Sequence, residues 1–452
     1  MASLLKKNDV IQLRIDSLGS EAQGIGRHED FVIFVPFALP AELVRVQILS
    51  VKKSFAYGKL LEVVTPSINR VTPPCPHYGK CGGCSTQHMD YPSSLRFKQD
   101  GVENNMRRIA KSDIAVEETL GMDNPWNYRN KMAMPVQDAL GVPVSGFYAP
   151  RSHRIVPIEE CFLSMPPDIQ LKEIVLAWMR QHAVSAYDEQ SGKGLIRHIV
   201  SRVNRQGESI LLLVINGKRI PHQDALIEML IKQVPKLVGV SFSVNTSRGN
   251  TILGPDYQVI WGERYLQESL LGLRFRISPL SFFQVNPVMT EVLYSTAISI
   301  SGAKPDETML DIYCGAGTIS LCFASHVKQV IGIEIVPQAI EDAKNNALAN
   351  NIHNAEFIQG KAEVELPKLI AQGFNPDLVM LDPPRKGADQ EVLDALIQAE
   401  TNKIIYISCH PATQARDARY LLDNGYRIER CCPVDMFCQT AGIENILLFH
   451  RM

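Results

Sequence analysis

The sequence predicts an α/β protein: a doubly wound sheet in the C-terminal part, preceded by a small all-β barrel and an α+β middle region. Three observations carry this. From about residue 291 strands and helices alternate. TMLDIY leads into a glycine turn and a helix, and QVIGIEI precedes the helical PQAIEDAKNNALAN. AEFIQG, DLVMLD, the helical QEVLDALIQAE and KIIYIS follow. Such alternation predicts a parallel sheet with helices on both faces. The first 65 or so residues instead hold four or five strand-like runs, VIQLRIDSL, FVIFVPF, LVRVQILSVKK and YGKLLEVV, punctuated by Gly24, Gly26, Pro36 and Pro40. So many strands in so short a span suit a closed barrel, because closure removes exposed edges. Between about 126 and 280, short strands (IRHIVSRVN, SILLLVING, VGVSFSVN) alternate with amphipathic stretches such as QDALIEMLIKQV. We therefore divide the chain into residues 1–65, 66–280 and 281–452, in line with about three domains for 452 residues.

Composition bounds the function classes. Hydrophobic residues make up 45% and charged residues 21%, ordinary for a protein with sizeable cores. The opening MASLLKKNDV lacks the long apolar region of a secretory signal. No apolar stretch approaches the roughly 18 residues of a membrane span. The expected location is the cytoplasm, with no membrane partner, and the expected state is a monomer. Ten cysteines without a secretory signal argue for metal ligation or thiol chemistry rather than a disulfide framework. The net charge of −2 gives nucleic-acid binding no bulk support, so such binding must come from local patches.

Four motifs carry chemistry. In DIYCGAGTISL a strand runs into a turn holding Gly315 and Gly317, where backbone can approach a ligand closely. A dinucleotide fingerprint would need a third glycine where Ser320 stands. The next strand ends in Glu334, whose carboxylate can accept from ribose hydroxyls. Glycine turn plus acid suits S-adenosylmethionine, which has a ribose but no pyrophosphate; a plain sheet turn with a surface glutamate is the alternative. In LDPPRKG two prolines force an extended exit that fixes Asp382 at the ligand edge of the sheet. Arg385 stands where N-methyltransferases often place an aromatic, and does not fit that chemistry. In KIIYISCHPATQ the buried strand ends at Cys409, a rim position open to two readings: packing filler or a nucleophile whose pKa is lowered by the following helix N-terminus. Glu444, at the start of the last strand, reads in isolation as an edge charge. Finally, Cys75, Cys81 and Cys84 are spaced C-x5-C-x2-C, with Cys161 the leading candidate for a fourth ligand. Soft thiolates favour an iron-sulfur cluster or zinc, and the long first spacing favours the cluster.

Taken in order, these motifs resemble the bacterial RNA uridine-C5 methyltransferases over nearly the whole chain. The likeness is to the branch that acts on 23S ribosomal RNA and carries a [4Fe-4S] cluster. GIGRHEDFVIFVPFALPAELV resembles a TRAM domain, and FFQVNP, DIYCGAGTISL, LDPPRKG and ISCHP resemble the catalytic motifs. The resemblance implies S-adenosylmethionine contacts from Gln284, Tyr313, Glu334 and Asp382. It also implies Cys409 as nucleophile, Glu444 as an ionised base, and Cys75, Cys81, Cys84 and Cys161 as cluster ligands. Two departures surround the reacting groups: Gly442-Ile443 replaces His-Val, and Cys-His-Pro replaces Cys-Asn-Pro.

The chemistry has a reason. C5 of uracil is a poor nucleophile until a thiolate adds to C6 and sends charge to C5. The target uridine must leave its stack to reach such a pocket. Lys52, Lys53, Arg129, Lys131 and Phe282 are candidate RNA supports, with ordinary surface charges and one core aromatic as the alternative. A transfer RNA substrate, a radical methylthiotransferase and a noncatalytic RNA-binding protein are the rival readings. The C-x5-C-x2-C spacing opposes the second, and retained Asp382, Cys409 and Glu444 oppose the third.

Overall fold

The computed structural model describes residues 5–29, 31–249, 251–254 and 256–452. At the N-terminal end β1 (Val10–Leu18), β2 (Gly24–His28), β3 (Phe31–Val35), β4 (Leu43–Val51) and β5 (Phe55–Thr65) form a closed barrel in the order β1-β2-β3-β5-β4. All its pairings are antiparallel except β3 with β5. Alternate residues fill it: Leu13, Ile15, Ile33, Val35, Val44, Val46, Ile48 and Ala56 are all buried. A buried carboxylate fastens the barrel to the segment after β5. Arg70 donates to both oxygens of Glu42, at 2.5 and 2.8 Å, and to the carbonyl of Phe37 at 2.7 Å.

The cysteine loop then leads into α1 (Tyr91–Asn105). Asp90 caps it by accepting from the Ser93 N–H at 2.7 Å. The helix packs through Val102 on the C-terminal core. The middle region comprises β6 (Lys131–Ala139), β7 (Val142–Tyr148), β8 (Ile155–Pro157), α2 (Asp168–Gln181), β9 (Ile196–Val203), β10 (Ser209–Ile215), α3 (Gln223–Gln233), β11 (Leu237–Val244) and β12 (Asp256–Gly262). Its seven strands run β12-β11-β10-β9-β6-β7-β8, with Leu171, Val175, Trp178, Leu226 and Leu230 of the two helices in its core. A hairpin, β13 (Leu266–Leu270) and β14 (Leu273–Ile277), precedes the last region.

That region contains α4 (Pro287–Ser301), β15 (Thr308–Ile312), α5 (Thr318–Phe323), β16 (Gln329–Glu334), α6 (Pro337–Ala349), β17 (Ala355–Gln359), α7 (Ala362–Ala371), β18 (Leu378–Leu381), α8 (Gln390–Gln398), β19 (Lys403–Ser408), α9 (Pro411–Asp423), β20 (Tyr426–Val434) and β21 (Glu444–Arg451). The sheet order is β17-β16-β15-β18-β19-β21-β20. Alternate strand residues feed two cores. Met309, Leu378, Met380, Ile405 and Ile407 meet α4 to α6, whereas Leu310, Val379, Leu381, Ile404 and Tyr406 meet α7 to α9.

The structure departs from the expected parallel sheet in one strand. β21 runs antiparallel, inserted between β19 and β20. Among the elements the sequence reading did not name are α7, which carries Pro367 inside it, and β20, whose YRIERCCPV mixes charges with an apolar face.

Candidate active site

The strand order reverses between β15 and its neighbours β16 and β18, and ligands of open α/β sheets lie at the carboxyl ends beside such a switch point. The turn after β15, Glu334 of β16, Asp382 after β18 and Cys409 after β19 all lie at that edge. After β15 the chain turns through Tyr313, whose φ of +71° is a left-handed conformation costly for a tyrosine. Gly317 has a φ of +76°, and a Cβ there would lie 3.0 Å from both Ala343 and Phe357. Glu334, at the end of β16, accepts from the N–H groups of Gly315 at 3.2 Å and Val336 at 2.8 Å, which fixes the turn against its neighbour strand. Gln284 is buried in the segment before α4, and its carbonyl accepts from Asn130 Nδ2 at 3.0 Å.

After β18 comes Asp382-Pro-Pro-Arg385. Its loop is tied to α9: Thr413 Oγ1 donates to the Arg385 carbonyl at 3.1 Å, and Arg416 donates to the Lys386 carbonyl at 3.0 Å. After β19 comes half-buried Cys409. His410 caps α9, its Nδ1 accepting from the Thr413 N–H at 3.3 Å. The His410 ring nitrogen thus does the capping work of an asparagine side chain, and the Cys-His-Pro departure leaves the cap intact.

The reversed strand supplies the last group. The antiparallel register pairs Ser408 with Asn445, so its next step sets Cys409 beside Glu444. Gln414 of α9 locks this register, donating to the carbonyls of Tyr406 at 2.8 Å and Asn445 at 3.0 Å and accepting from Asn445 Nδ2 at 2.8 Å. Val434 of β20 lies opposite Glu444 on its other side.

The charges interact strongly. Burial raises the Glu444 carboxyl well above the usual range, Asp382 adds to this, and Arg385 opposes it. Asp382 is pushed up to about 7 by burial and by Asp311, and Asp311 to about 7 by burial against the Ser320 hydroxyl that favours its charged form. Glu444 Oε2 and Asp311 Oδ1 are buried without a hydrogen-bond partner. Three acids thus converge at one edge of the sheet. Such a site fits a positively charged ligand, as the sulfonium and ammonium of S-adenosylmethionine would be.

Two electrostatic expectations are corrected. The Cys409 thiol is raised, not lowered: burial dominates and Glu444 adds to it, outweighing a hydrogen bond from Arg385. The Glu444 carboxyl, expected to be kept ionised, is raised as well, burial again being the largest cause. Arg385, for which the motif alone suggested no role, is the cation that faces both reacting groups.

The four cysteines expected as cluster ligands, Cys75, Cys81, Cys84 and Cys161, lie near one another. Burial raises the thiols of Cys75, Cys81 and Cys84, the last to about 12, and the charge of Cys161 adds to each. Among the described residues, no three or more His, Cys, Asp or Glu side chains close to metal-ligand distance. The loop nevertheless aims donors at sulfur: the Gly83 N–H reaches Cys81 Sγ at 3.4 Å, and the His77 and Tyr78 backbone faces Cys75. N–H groups directed at sulfur suit thiolate ligands.

The RNA supports expected from sequence are dispersed. Lys52 and Lys53 are exposed in the turn between β4 and β5, and Phe282 is 74% exposed beside Gln284. Lys131, directly opposite Arg202 across β6 and β9, is pushed down to about 7 by burial, Arg202 and Arg129. No helix among the described residues is long and apolar enough to cross a membrane.

Comparison with known proteins agrees with this geometry. Residues 256–452 match the tRNA (Uracil-5-)-methyltransferase family and residues 5–61 the TRAM domain. An uncharacterized RNA methyltransferase of Clostridium tetani is 43% identical over 445 residues, covering 98% of this chain and 97% of its own. One of Halalkalibacterium halodurans is 40% identical, covering 98% of this chain and 97% of its own. The crystal structure of Pyrococcus abyssi tRNA (uracil-54, C5)-methyltransferase in complex with S-adenosyl-L-homocysteine superposes with a TM-score of 0.77. It is 24% identical and covers 97% of this chain and 100% of its own, a likeness of fold. With the barrel, the switch-point motifs and relatives matched end to end, the chain belongs to the TRAM-bearing family of S-adenosylmethionine-dependent RNA uracil-C5 methyltransferases.

Proposed function

We propose that this chain methylates C5 of a specific uridine in 23S ribosomal RNA, acting as a cytoplasmic monomer, with Cys409 as nucleophile and Glu444 as base. One observation carries the reading: the register of β19 on β21 sets a half-buried thiol beside a buried carboxyl at the ligand edge. Cys409 sulfur adds to C6 of the flipped uracil, forming an S–C6 bond and moving a pair of electrons towards C5 and the O4 enolate. Arg385, within hydrogen-bonding reach of the thiol, favours its thiolate. C5 then takes the methyl group, for which S-adenosylmethionine is the donor. Glu444 removes the C5 proton, the C5–C6 double bond re-forms and sulfur leaves. A carboxyl with a raised proton affinity is a strong acceptor once ionised, and Arg385, the cation facing it, favours that ionised form. Gln284, Tyr313, Glu334 and Asp382 are the proposed contacts to the donor.

Cys75, Cys81, Cys84 and Cys161 are the proposed ligands of a [4Fe-4S] cluster. It would supply a cross-link between the loop and the segment before α2, apart from the chemistry. The preference for ribosomal over transfer RNA rests on this cysteine set, which resembles the ribosomal branch. Methylation mapping of ribosomal and transfer RNA from cells lacking the protein decides between them.

The covalent step has a direct test. With 5-fluorouridine RNA and S-adenosylmethionine, the fluorine replaces the proton that Glu444 removes, so a gel-stable protein–RNA adduct is expected and Cys409→Ala gives none. With natural RNA, Glu444→Gln should transfer methyl but release slowly, so the same adduct accumulates. Normal turnover by Glu444→Gln would place the base elsewhere.

A further inference from the structure

α9 holds more of the site than the strand before it. Cys409 stands next to its cap, His410, and Gln414 fixes the register that brings Glu444 alongside. Thr413, Arg416 and Asp417 are spaced i, i+3 and i+4, so they share one side of the helix. All three grip a single turn, from Pro384 to Gly387, closed by the Gly387 N–H donating to the Pro384 carbonyl at 2.9 Å. Thr413 holds the Arg385 carbonyl and Arg416 the Lys386 carbonyl. Asp417 Oδ2 accepts from the Ala388 N–H at 3.0 Å, just past the turn.

Asp417 is the costly member of this set. It is only 3% exposed, and a buried polar group needs partners. Oδ2 also accepts from the Tyr406 hydroxyl at 2.7 Å, and Oδ1 accepts from Arg416 Nε at 2.8 Å. Tyr406 is fully buried on β19, and burial and Asp417 together raise its phenol well above the ordinary range, so it remains a donor. Gly387 makes the approach possible: its φ is +88°, and a Cβ there would lie 2.5 Å from Asp417 Oδ2. The exposed side chain carried by this turn is Arg385. It is the cation that hydrogen-bonds the Cys409 thiol, against the charges of Glu444 and Asp382.

We propose that Asp417 is a positioning residue for the uracil-C5 reaction: by anchoring the turn that bears Arg385, it holds the guanidinium on the Cys409 sulfur. It acts through Arg385 and not by touching a substrate. This rests on the proposed role of Cys409 and adds the group that keeps its cation in place. Thiol, cation and carboxyl base are then set by one helix, the cation through Asp417 and the other two through Gln414.

The test uses the full chain and reads Cys409 without RNA, as the rate of its alkylation by iodoacetamide against pH, followed by mass spectrometry of the Cys409 peptide. The thiolate is the form that reacts, so a thiol that loses its cation reacts more slowly at neutral pH and recovers at high pH. Asp417→Asn keeps the shape but cannot accept on both sides. It should react about threefold more slowly at neutral pH and move the midpoint up by about half a unit, one unit being tenfold. Tyr406→Phe takes one donor from Asp417, leaves the core filled and should shift the midpoint the same way by less. Arg385→Gln sets the full loss. The deciding variant combines Asp417→Asn with Arg385→Gln: it should react no more slowly than Arg385→Gln alone, because the two residues act as one unit. Losses that multiply overturn the proposal. So does a midpoint that Arg385→Gln moves and that neither Asp417→Asn nor Tyr406→Phe moves, and so does one that Arg385→Gln itself leaves at the parent value. The 5-fluorouridine adduct separates this from the reading it rests on. A parent that forms it should lose about threefold in rate with Asp417→Asn, again without further loss beyond Arg385→Gln. A parent that shows the alkylation shifts but no adduct overturns the uracil reaction and leaves the anchoring of Arg385 standing.

Discussion

Arg385 decides how reactive Cys409 is. The thiol has two acids against it, Glu444 and Asp382, and one cation for it. Arg385→Gln should slow 5-fluorouridine adduct formation by about tenfold at neutral pH, the worth of one hydrogen bond to a charged group. Raising the pH should restore part of the rate, because the raised thiol then ionises without help; a pH-independent deficit would make Arg385 an RNA contact only. Asp311 gives a second test. Its folded pKa of about 7 lies above the ordinary carboxyl value, so the folded chain holds that proton more tightly than the unfolded one. The stability this contributes is complete below about pH 4 and is lost as pH rises through about 7. Asp311→Asn should abolish that contribution to the slope, so the parent's melting temperature should fall relative to the variant across this window. The sequence showed which residues stand at the sheet's edge, since Cys409 and Asp382 each follow an apolar run. It could not show their ionisation. A helix N-terminus beside Cys409 was visible, whereas burial and a carboxyl 35 positions away became visible only with the fold.

At the scale of elements, the loop from β20 to β21 aims Glu444. Four separate parts of the chain hold it. Lys98 forms a fully buried ion pair with Asp435 and donates to the Phe437 carbonyl at 3.1 Å, and Tyr91 donates to Asp435 at 2.8 Å. Tyr128 donates to the Cys438 carbonyl at 2.8 Å, and Asn286 to that of Met436 at 3.2 Å. The N–H groups of Ser85 and Thr86 donate to the Gln439 carbonyl at 3.0 and 3.2 Å, while Ser85 Oγ accepts from Ala441 at 2.9 Å. Breaking a buried pair strands a charge and costs several kcal/mol, so Lys98→Met should destabilise the chain. Ser85→Ala is milder and more informative. It should leave adduct formation intact but slow release about threefold, the adduct half-life on natural RNA being the measurement. Little of this was legible: Lys98 and Asp435 stand 337 positions apart, and α7 was hidden because Pro367 breaks the helical pattern.

The whole molecule is threaded through the cysteine loop. Arg70 joins it to the barrel, the Gly82 N–H joins it to the Tyr148 carbonyl at 3.0 Å, and Ser85 joins it to the loop of Glu444. Under the proposed cluster, anaerobically purified protein should carry about four irons per chain, and Cys161→Ser should lose most of them. That variant should also show faster amide exchange in residues 85–90 and 435–443, because Ser85 sits next to the ligand Cys84. Full iron in Cys161→Ser would remove it as a ligand, and stoichiometric zinc would reject the cluster. The barrel and the C-terminal α/β sheet were legible, the one from short alternating strands and the other from its strand–helix rhythm. The seams were not, since long-range side chains such as Arg70 and Lys98 make them.

The reversed strand also determines where the gene tolerates length changes. β20 already carries a register shift between Ile428 and Arg430, so its backbone has a place to absorb one extra residue. β21 has none against β19, where six consecutive pairs run unbroken from Lys403 to Ser408. One codon inserted early in β21 would turn the carboxylate to the opposite face of the sheet and leave the sulfur facing a neighbour without one.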